Sequence, residues 1–477
     1  MCRIASFGRR KIVLDYAAVD ETNVLEVLEK ALSIHAMNSV ECQHLYDVYC
    51  GKQAVLNRRK DVRPEINNKL LVNHANEIVS FKVSYLLSEP IAYISRGKDT
   101  SSEKVAELNE MMYLNSKAAR DKEIADDFTI CGQAYRMTLP NDAYDVRNPD
   151  PDIPPFVVYT LDPRSTFVVY SNDIGEKPVC GVKCVKRRDP ANRNAEQTVY
   201  SVYTASRYIE IWDKRIVRNE PHALGMIPIV EYVNNNARLG AFEVVETLLD
   251  AINTLASNRV DATEQAVQAL TVFYNCDISS EDFEELRRKG GLKIKSVDGL
   301  QSKVDMLIAN FNQADQQVQI DSLYEEVLRI TGMPSRSSGQ TSDSSNNGAT
   351  IVRNGWFNAE ARAKDTEDLW RESEGHFLKL VFKICRDMAG LDLRLSDITP
   401  KFTRRNYEDL QVRSQVLTTM LNNQMIAPEL AFAHCGMFID SEEAFLKSMA
   451  WYEAHKNDVA EQPASTPDNN TGLLTEK

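Results

Sequence analysis

The chain lacks any apolar run long enough to cross a membrane. Its best window, Phe377 to Met388, is cut by Lys379, Lys383 and Arg386. Met1 to Asp15 lacks the apolar core and small-residue cleavage site of a secretory leader. Cysteine is present nine times without a framework: Cys42 and Cys50, Cys180 and Cys184, and Cys385 and Cys435 have no zinc-type spacing. These absences predict a soluble chain in a reducing, cytoplasmic setting, with no membrane partner. Positive charge is also short. Acids outnumber bases 69 to 56, a net charge of −13, which excludes a tight basic-patch binder of nucleic acid. Acidity still permits DNA as a passing cargo, because a weakly repulsive wall does not hold a polyanion.

Catalytic motifs are missing as well. Gly290-Gly-Leu-Lys-Ile-Lys-Ser296 lacks the spacing of a phosphate-binding loop. No Asp/Glu-x-Lys triplet occurs, so the common magnesium nuclease arrangement is absent, and there is no Gly-x-Ser-x-Gly elbow. The seven histidines form no His-x3-His pair. His222 reads as a turn residue and His434-Cys435 as a satisfied pair at a helix end. Asp150 and Asp152 could bind a cation, but in their Pro-rich connector they read as solvated carboxylates. No catalytic residue, metal or cofactor is expected, and the chain reads as a non-enzyme.

What is present is organisation. At 477 residues the chain suggests two to four domains, and 43% hydrophobic content is enough for ordinary cores. Amphipathic helices are expected near Thr22 to Val48, over Asn67 to Leu87, and as one or two helices over Ser101 to Ile130. From Ala134 to Val217 the texture turns to short β-branched and aromatic runs: Phe156 to Tyr159, Phe167 to Tyr170, Val179 to Val185, Thr198 to Tyr203 and Tyr208 to Trp212. An α+β domain should therefore reach about Asn235, closed by Asn234-Asn-Asn236, with a helix N-cap nearby. The next helix carries Phe242, Val245, Leu248, Leu249, Ile252 and Leu255 and extends toward Ala269. A small α/β insert follows, with strands at Leu270 to Asn275, Leu292 to Val297 and Lys303 to Phe311. The helix Ala314 to Thr331 should return antiparallel to the first, because the insert brings the chain back to where it left.

The segment after that helix, Ser335-Arg-Ser-Ser-Gly-Gln-Thr-Ser-Asp-Ser-Ser-Asn-Asn-Gly348, holds no apolar residue. Its composition is that of a flexible linker. It joins two helices without a change of domain, however, which points to a loop exposed to a moving or variable partner. A helix without proline should then run from Ala349 to Met388, roughly 60 Å at 1.5 Å per residue. A strand at Leu391 to Leu395 and helices at Asn406 to Asn422, Pro428 to His434 and Ser441 to His455 complete the ordered chain. Ala460 to Lys477 is polar and reads as a disordered tail. In the insert, Glu281-Asp-Phe-Glu-Glu-Leu-Arg-Arg-Lys289 places acids first and bases last. Dipole complementarity on a solvated face accounts for that order, and a docking surface at the tip of the insert would give it equally.

Several segments in register resemble the portal protein family of long-tailed phages from Gram-positive hosts. They are Asn73-His-Ala-Asn-Glu-Ile-Val79 with Tyr85-Leu-Leu-Ser-Glu-Pro-Ile-Ala-Tyr93, then Gly132-Gln-Ala-Tyr135, then Pro221-His-Ala-Leu-Gly-Met-Ile-Pro-Ile-Val-Glu-Tyr-Val-Asn-Asn235. Phe242-Glu243, Leu249-Asp-Ala-Ile-Asn253 and Ser257-Asn258 continue the register. Ser88 departs from the family's usual Gly, and Ser-Asn-Asn-Gly-Ala-Thr350 departs from its usual Ser-Gly-x-Ala-Leu.

The resemblance implies a ring-forming, multi-domain α+β portal fold, mainly helical. Its parts would be a wing over 1–239, a first stem helix over 240–269, a clip over 270–312 and a second stem helix over 313–333. A tunnel loop over 334–348, a long wing-backbone helix over 349–390, a crown-like helical domain over 391–457 and a tail over 458–477 would follow. It further implies a structural connector at one capsid vertex, assembled in the host cytoplasm and carried in the virion. The ring would have typically twelve copies and would pass double-stranded DNA. It would also meet the terminase large subunit, scaffolding and major capsid proteins, and a head–tail adaptor. In this placement the DNA-channel residues are Arg336, Ser337, Ser338, Gln340, Ser342, Ser344, Asn346 and Asn347. The docking residues are Glu281, Asp282, Glu284, Glu285, Arg287, Arg288 and Lys289. The competing readings are an intracellular scaffold unrelated to phage and a DNA-processing enzyme with an unrecognised site.

Overall fold

A computed structural model describes residues 8–96, 100–188, 196–267, 270–274, 276–277, 295–296, 303–307, 313–335, 355–404, 410–423, 425–438 and 441–455. A short strand, β1 (Ile12–Leu14), leads to α1 (Val24–Tyr49), which buries Val24, Val27, Leu28 and Ala31 in sequence and Cys42, Leu45 and Val48 further on. Asn38 of α1 bonds both the amide and the carbonyl of Arg10, at 3.0 and 2.8 Å, and so fixes the entry of β1. Helix α2 (His74–Leu86) starts later than the expected Asn67. Asn73 caps it by accepting the Asn76 amide, and the amides upstream are bonded to another helix, as described below.

Strand β2 (Ala92–Ser95) precedes α3 (Thr100–Leu114) and α4 (Lys117–Cys131), two helices divided by Ser116 at φ +52°. Eight strands follow: β3 (Gln133–Pro140), β4 (Phe156–Leu161), β5 (Thr166–Ser171), β6 (Pro178–Arg188), β7 (Glu196–Tyr203), β8 (Arg207–Trp212), β9 (Arg215–Pro221) and β10 (Ile229–Val233). Strands β1, β5, β6, β7, β8 and β9 form one sheet in that order, with β1 parallel to β5 and the rest antiparallel. Strands β10, β3 and β4 form a second, antiparallel sheet. Side chains alternate across β5 with period two. Phe167 and Val169 pack with α1, whereas Val168 packs with Tyr135, Met137 and Ile229 of the smaller sheet. The order of layers is therefore α1, large sheet, small sheet.

Asn234 and Asn235 do not cap the next helix, contrary to expectation. Both amide groups donate to the Leu239 carbonyl at 2.9 Å, so they tie a loop. A 3-10 turn, Glu243–Val245, then opens into α5 (Glu246–Val267). Its neighbours in the insert are β11 (Leu270–Tyr274), β12 (Cys276–Asp277), β13 (Lys295–Ser296) and β14 (Lys303–Leu307). Pairing of β11 with β14 and of β12 with β13 is antiparallel. Helix α6 (Gln313–Thr331) returns along α5, and Arg259 late in α5 bonds Gln317 early in α6, as antiparallel helices require.

The long helix is α7 (Trp356–Ala389), about 51 Å at 1.5 Å per residue. It begins after Gly355, at φ +80°, which breaks the expected helix from Ala349; residues 349–354 lie outside the described set. It ends at Gly390, φ +71°. The expected strand at Leu391 to Leu395 is also corrected. Leu391 and Leu393 instead enter the core beside Phe377 and Val381, and the strand is β15 (Ile398–Lys401), paired with β2. Leu391, Leu393 and Ile398 thus complete a core that also holds Tyr93 of β2, Val105 and Leu108 of α3 and Phe377 of α7. Helices α8 (Leu410–Leu421), α9 (Pro428–Cys435) and α10 (Ser441–Ala454) close the described chain.

Candidate functional site

The serine-rich segment leaves from the end of α6 and returns at the start of α7. Gly332 ends α6 at φ +71°, and a Cβ there would meet Arg362 Cγ of α7 at 2.9 Å. Lys82 of α2 donates to the Thr331 carbonyl at 2.8 Å, a cation placed on the last turn of a helix. Burial, with Arg362 nearby, lowers its pKa to about 8. Ser335 Oγ donates to Glu325 at 2.8 Å. At the return, a Cβ on Gly355 would lie 3.6 Å from Pro334 Cα and 3.9 Å from the Ser335 amide nitrogen. The two ends therefore touch, and the intervening chain is a closed excursion from one point.

The returning end is equally fixed. Trp356 packs on Phe81 and Tyr85, with ring centroids 6.0 and 5.9 Å away. Tyr85 donates to Glu360 at 2.9 Å, and Arg404 bridges Glu360 and Glu367 at 2.9 and 2.6 Å. The predicted channel residues, Arg336, Ser337, Ser338, Gln340, Ser342, Ser344, Asn346 and Asn347, lie outside the described residues. So do the predicted docking residues Glu281, Asp282, Glu284, Glu285, Arg287, Arg288 and Lys289. Of the insert, the β11–β14 and β12–β13 pairs are described.

Helix α5 is held by a strap, residues 58–73, through a polar ladder. The amides of Val72, Leu70 and Asn68 donate to Asn253 Oδ1, Ser257 Oγ and Asp261 Oδ1 at 2.8, 3.0 and 2.7 Å. Alternate residues of the strap meet every fourth residue of the helix. The fit is geometric: two extended residues advance roughly 6.6 Å, and four helical ones 6 Å. Arg58 and Lys60 both reach Asp261, at 2.8 Å for the former. Burial raises the Asp261 pKa, but Lys60, Asn68 and Arg58 outweigh it and hold the carboxyl at about 2. This ladder takes up the amides that the apolar stripe had assigned to a helix starting at Asn67.

A second network fixes α7 on the small sheet. Glu374, fully buried, accepts from Lys117 at 2.9 Å, Arg136 at 3.0 Å, Tyr232 at 2.8 Å and Trp370 at 3.1 Å, and also from Tyr93. Asp121 takes the other side of both cations, 2.7 Å from Lys117 and bonded to Arg136. Two cations thus face two anions in the interior, the condition under which buried charge is tolerated. Burial pushes Glu374 up; Lys117 and Arg136 reverse this and keep it ionised. Motif reading missed these groups. Their signal was Glu374 itself, a charge in line with Trp370, Phe377 and Val381 on an apolar stripe. None of this geometry offers a nucleophile beside a base. Among the described residues, no group of three or more His, Cys, Asp or Glu is placed to hold a metal. Asp150 accepts the Asp152 amide at 3.0 Å, a turn within its loop. His222 bonds the Thr204 carbonyl at 3.0 Å. No helix among the described residues is long and apolar enough to cross a membrane.

The arrangement is a frame: two antiparallel helices, the first strapped by a polar ladder, a long helix locked to a sheet, and two excursions that each leave and return between neighbouring helices. Compared with known proteins, residues 28–458 match the family described as phage portal protein, SPP1 Gp6-like. No curated protein matches. Among solved structures, a chain from the neck of an empty GTA particle computed with C6 symmetry is similar at 14% identity and a TM-score of 0.46. The match covers 76% of this chain and 90% of that one.

Proposed function

The chain belongs to the SPP1 Gp6-like family of phage portal proteins, a structural connector of a phage particle and no enzyme, and on that premise we propose how its parts serve that role. Copies stand side by side in a closed ring, typically of twelve, around a channel for double-stranded DNA. Helices α5 and α6 are the stem, and the insert between them is the clip that docks the terminase large subunit and later a head–tail adaptor. The α+β region is the wing, α7 its backbone, and α8 to α10 a crown-like unit. Scaffolding and major capsid proteins meet the ring at one vertex, and the host is of the Gram-positive type.

The observation that carries this reading is the pinched base of the serine-rich loop, with Gly355 against Pro334 and Ser335. Both ends of that segment are thereby fixed at one point of the frame. Its Ser, Asn and Gln side chains can exchange hydrogen bonds with phosphates as a duplex passes. The acidic chain as a whole does not retain it, since tight phosphate contacts would release counterions and hold the DNA. Deleting Ser337 to Ser345 is expected to leave ring assembly intact and to impair DNA packaging or retention. Loss of ring formation in that variant would contradict the placement.

A further inference from the structure

Helix α5 shows separate flanks to its two neighbours. Asn253, Ser257 and Asp261 face the strap, whereas Arg259 meets α6. Buried Leu249 and Ile252 lie on the same side as Arg259. At about 100° per residue the two sets are centred more than roughly 100° apart around the axis. Strap and α6 therefore flank α5, and each has an outward surface of its own.

Those outward surfaces differ in charge. Arg58 and Lys60 of the strap turn inward to Asp261, but Arg59, Arg63 and Lys69 are exposed, with Val62 (79% exposed), Leu56 and Val72 among them. Arg63 is paired with Glu65, and Lys69 donates to the Leu56 carbonyl at 2.8 Å. On α6, Asp315 and Asp321 are exposed on either side of Val318 (66% exposed), and no basic residue occurs before Arg329. The exposed charges of the strap, Arg59, Arg63 and Lys69 against Asp61 and Glu65, leave a small positive excess beside apolar members, whereas the α6 surface is acidic with an apolar centre; the two stand on different flanks of one unit, in a chain of net charge −13.

We infer that the outward face of the strap, around Arg59, Val62 and Lys69, docks on the α6 face around Val318 and Asp321 of a second copy of this chain. The inference rests on the ring reading above and deepens it by naming two surfaces that meet. The contact is heterologous, one patch against a different patch, as a closed ring requires. Opposite charges orient the copies, and the valines supply the dehydrated centre. A protein partner fits better than a nucleic acid. Val62 and Leu56 add nothing to phosphate contacts, but they match the exposed Val318 of the α6 face.

The test uses the full chain, with assembly followed by mass photometry over a concentration series. The double variant Arg59→Glu, Lys69→Glu is expected to raise the concentration for ring formation at least tenfold without moving the thermal unfolding transition. Adding Asp315→Lys and Asp321→Lys to the same chain should restore assembly. Rings that form at the parent concentration, or a loss that the aspartate reversals do not repair, would overturn the inference while leaving the ring reading intact. Unchanged rings with weaker binding to a fluorescent DNA duplex would overturn it in favour of a phosphate surface. A parent protein that forms no ring at any concentration would remove the ring reading itself, and the docking with it.

Discussion

Glu374 accepts from five side chains while lying fully buried, so each partner depends on its charge. Replacing it by Gln leaves Lys117 and Arg136 facing Asp121 alone. Removing one member of a buried charge set typically costs about 3 kcal/mol or more. Glu374→Gln should accordingly lower the temperature of thermal unfolding, measured by calorimetry, and a variant as stable as the parent would show the network to be dispensable. A second residue-scale prediction concerns acid. His35 is buried against Phe167 and bonds the Arg164 carbonyl; desolvation lowers its pKa from 6.5 to about 4. The unfolded chain therefore takes up this proton first. His35 contributes stability above pH 6.5 that is lost as pH falls from 6.5 toward 4, about 3 kcal/mol in full. Asp127 acts in the opposite sense. Burial, with Asp162 and Asp126 nearby, raises it from 3.8 to about 7, so its penalty above pH 7 is relieved on acidification. The two effects offset each other in the parent, and the difference between variants exposes them. His35→Gln should gain on the parent as pH drops from 6.5 to 4, and Asp127→Asn should lose its advantage over the same range. Parallel stability curves would refute both assignments.

At the scale of elements, the strap gives the sharpest prediction. Asp261→Ala removes the acceptor for Arg58, Lys60 and the Asn68 amide together. Hydrogen exchange at Asn68, Leu70 and Val72 should accelerate at least tenfold, whereas amides of the β3–β10 ladder should not change. Uniform acceleration would mean that the strap and the sheet unfold as one unit. The strap also shows what periodicity can and cannot reveal. Leu70 and Leu71 extend the apolar stripe of α2 backward, so a helix from Asn67 is the natural reading. The residues that overrule it, Asn253, Ser257 and Asp261, sit on α5, far along the chain, and by themselves resemble a solvated face. Helix α1, α5, α6 and most of α7 were legible because a stripe of apolar residues, buried or, over most of α6, half-buried, runs along each. The start of α7 was not, since the apolar stripe continues back through Val352 while Gly355, at φ +80°, precedes the first helical residue, Trp356. Strands β1, β2, β3, β9, β10 and β15 were not among the named runs: β1, β2 and β15 are only three or four residues long, β9 carries polar residues at an edge, and β3 mixes Gln133, Arg136 and Thr138 with its apolar residues although it is largely buried.

At the scale of the whole molecule, the frame has a consequence for assembly. Helix α7 is bonded to the small sheet through Glu374 and to residue 404 through Glu360 and Glu367, while the strap holds α5, Arg259 joins α5 to α6, and Lys82 of α2 holds the end of α6. A subunit built this way should enter a ring as a rigid body. The candidate channel residues were legible only as a composition, a polar loop between two helices. What the structure adds is the closure of that loop's base. The measurement that tests this account most directly is electron microscopy of the purified full chain, extended to class averages down the symmetry axis. The account predicts closed rings with an open centre, in which the pinched Pro334–Gly355 bases point toward the hole. Isolated particles at every concentration, or rings whose loop bases face outward, would contradict it.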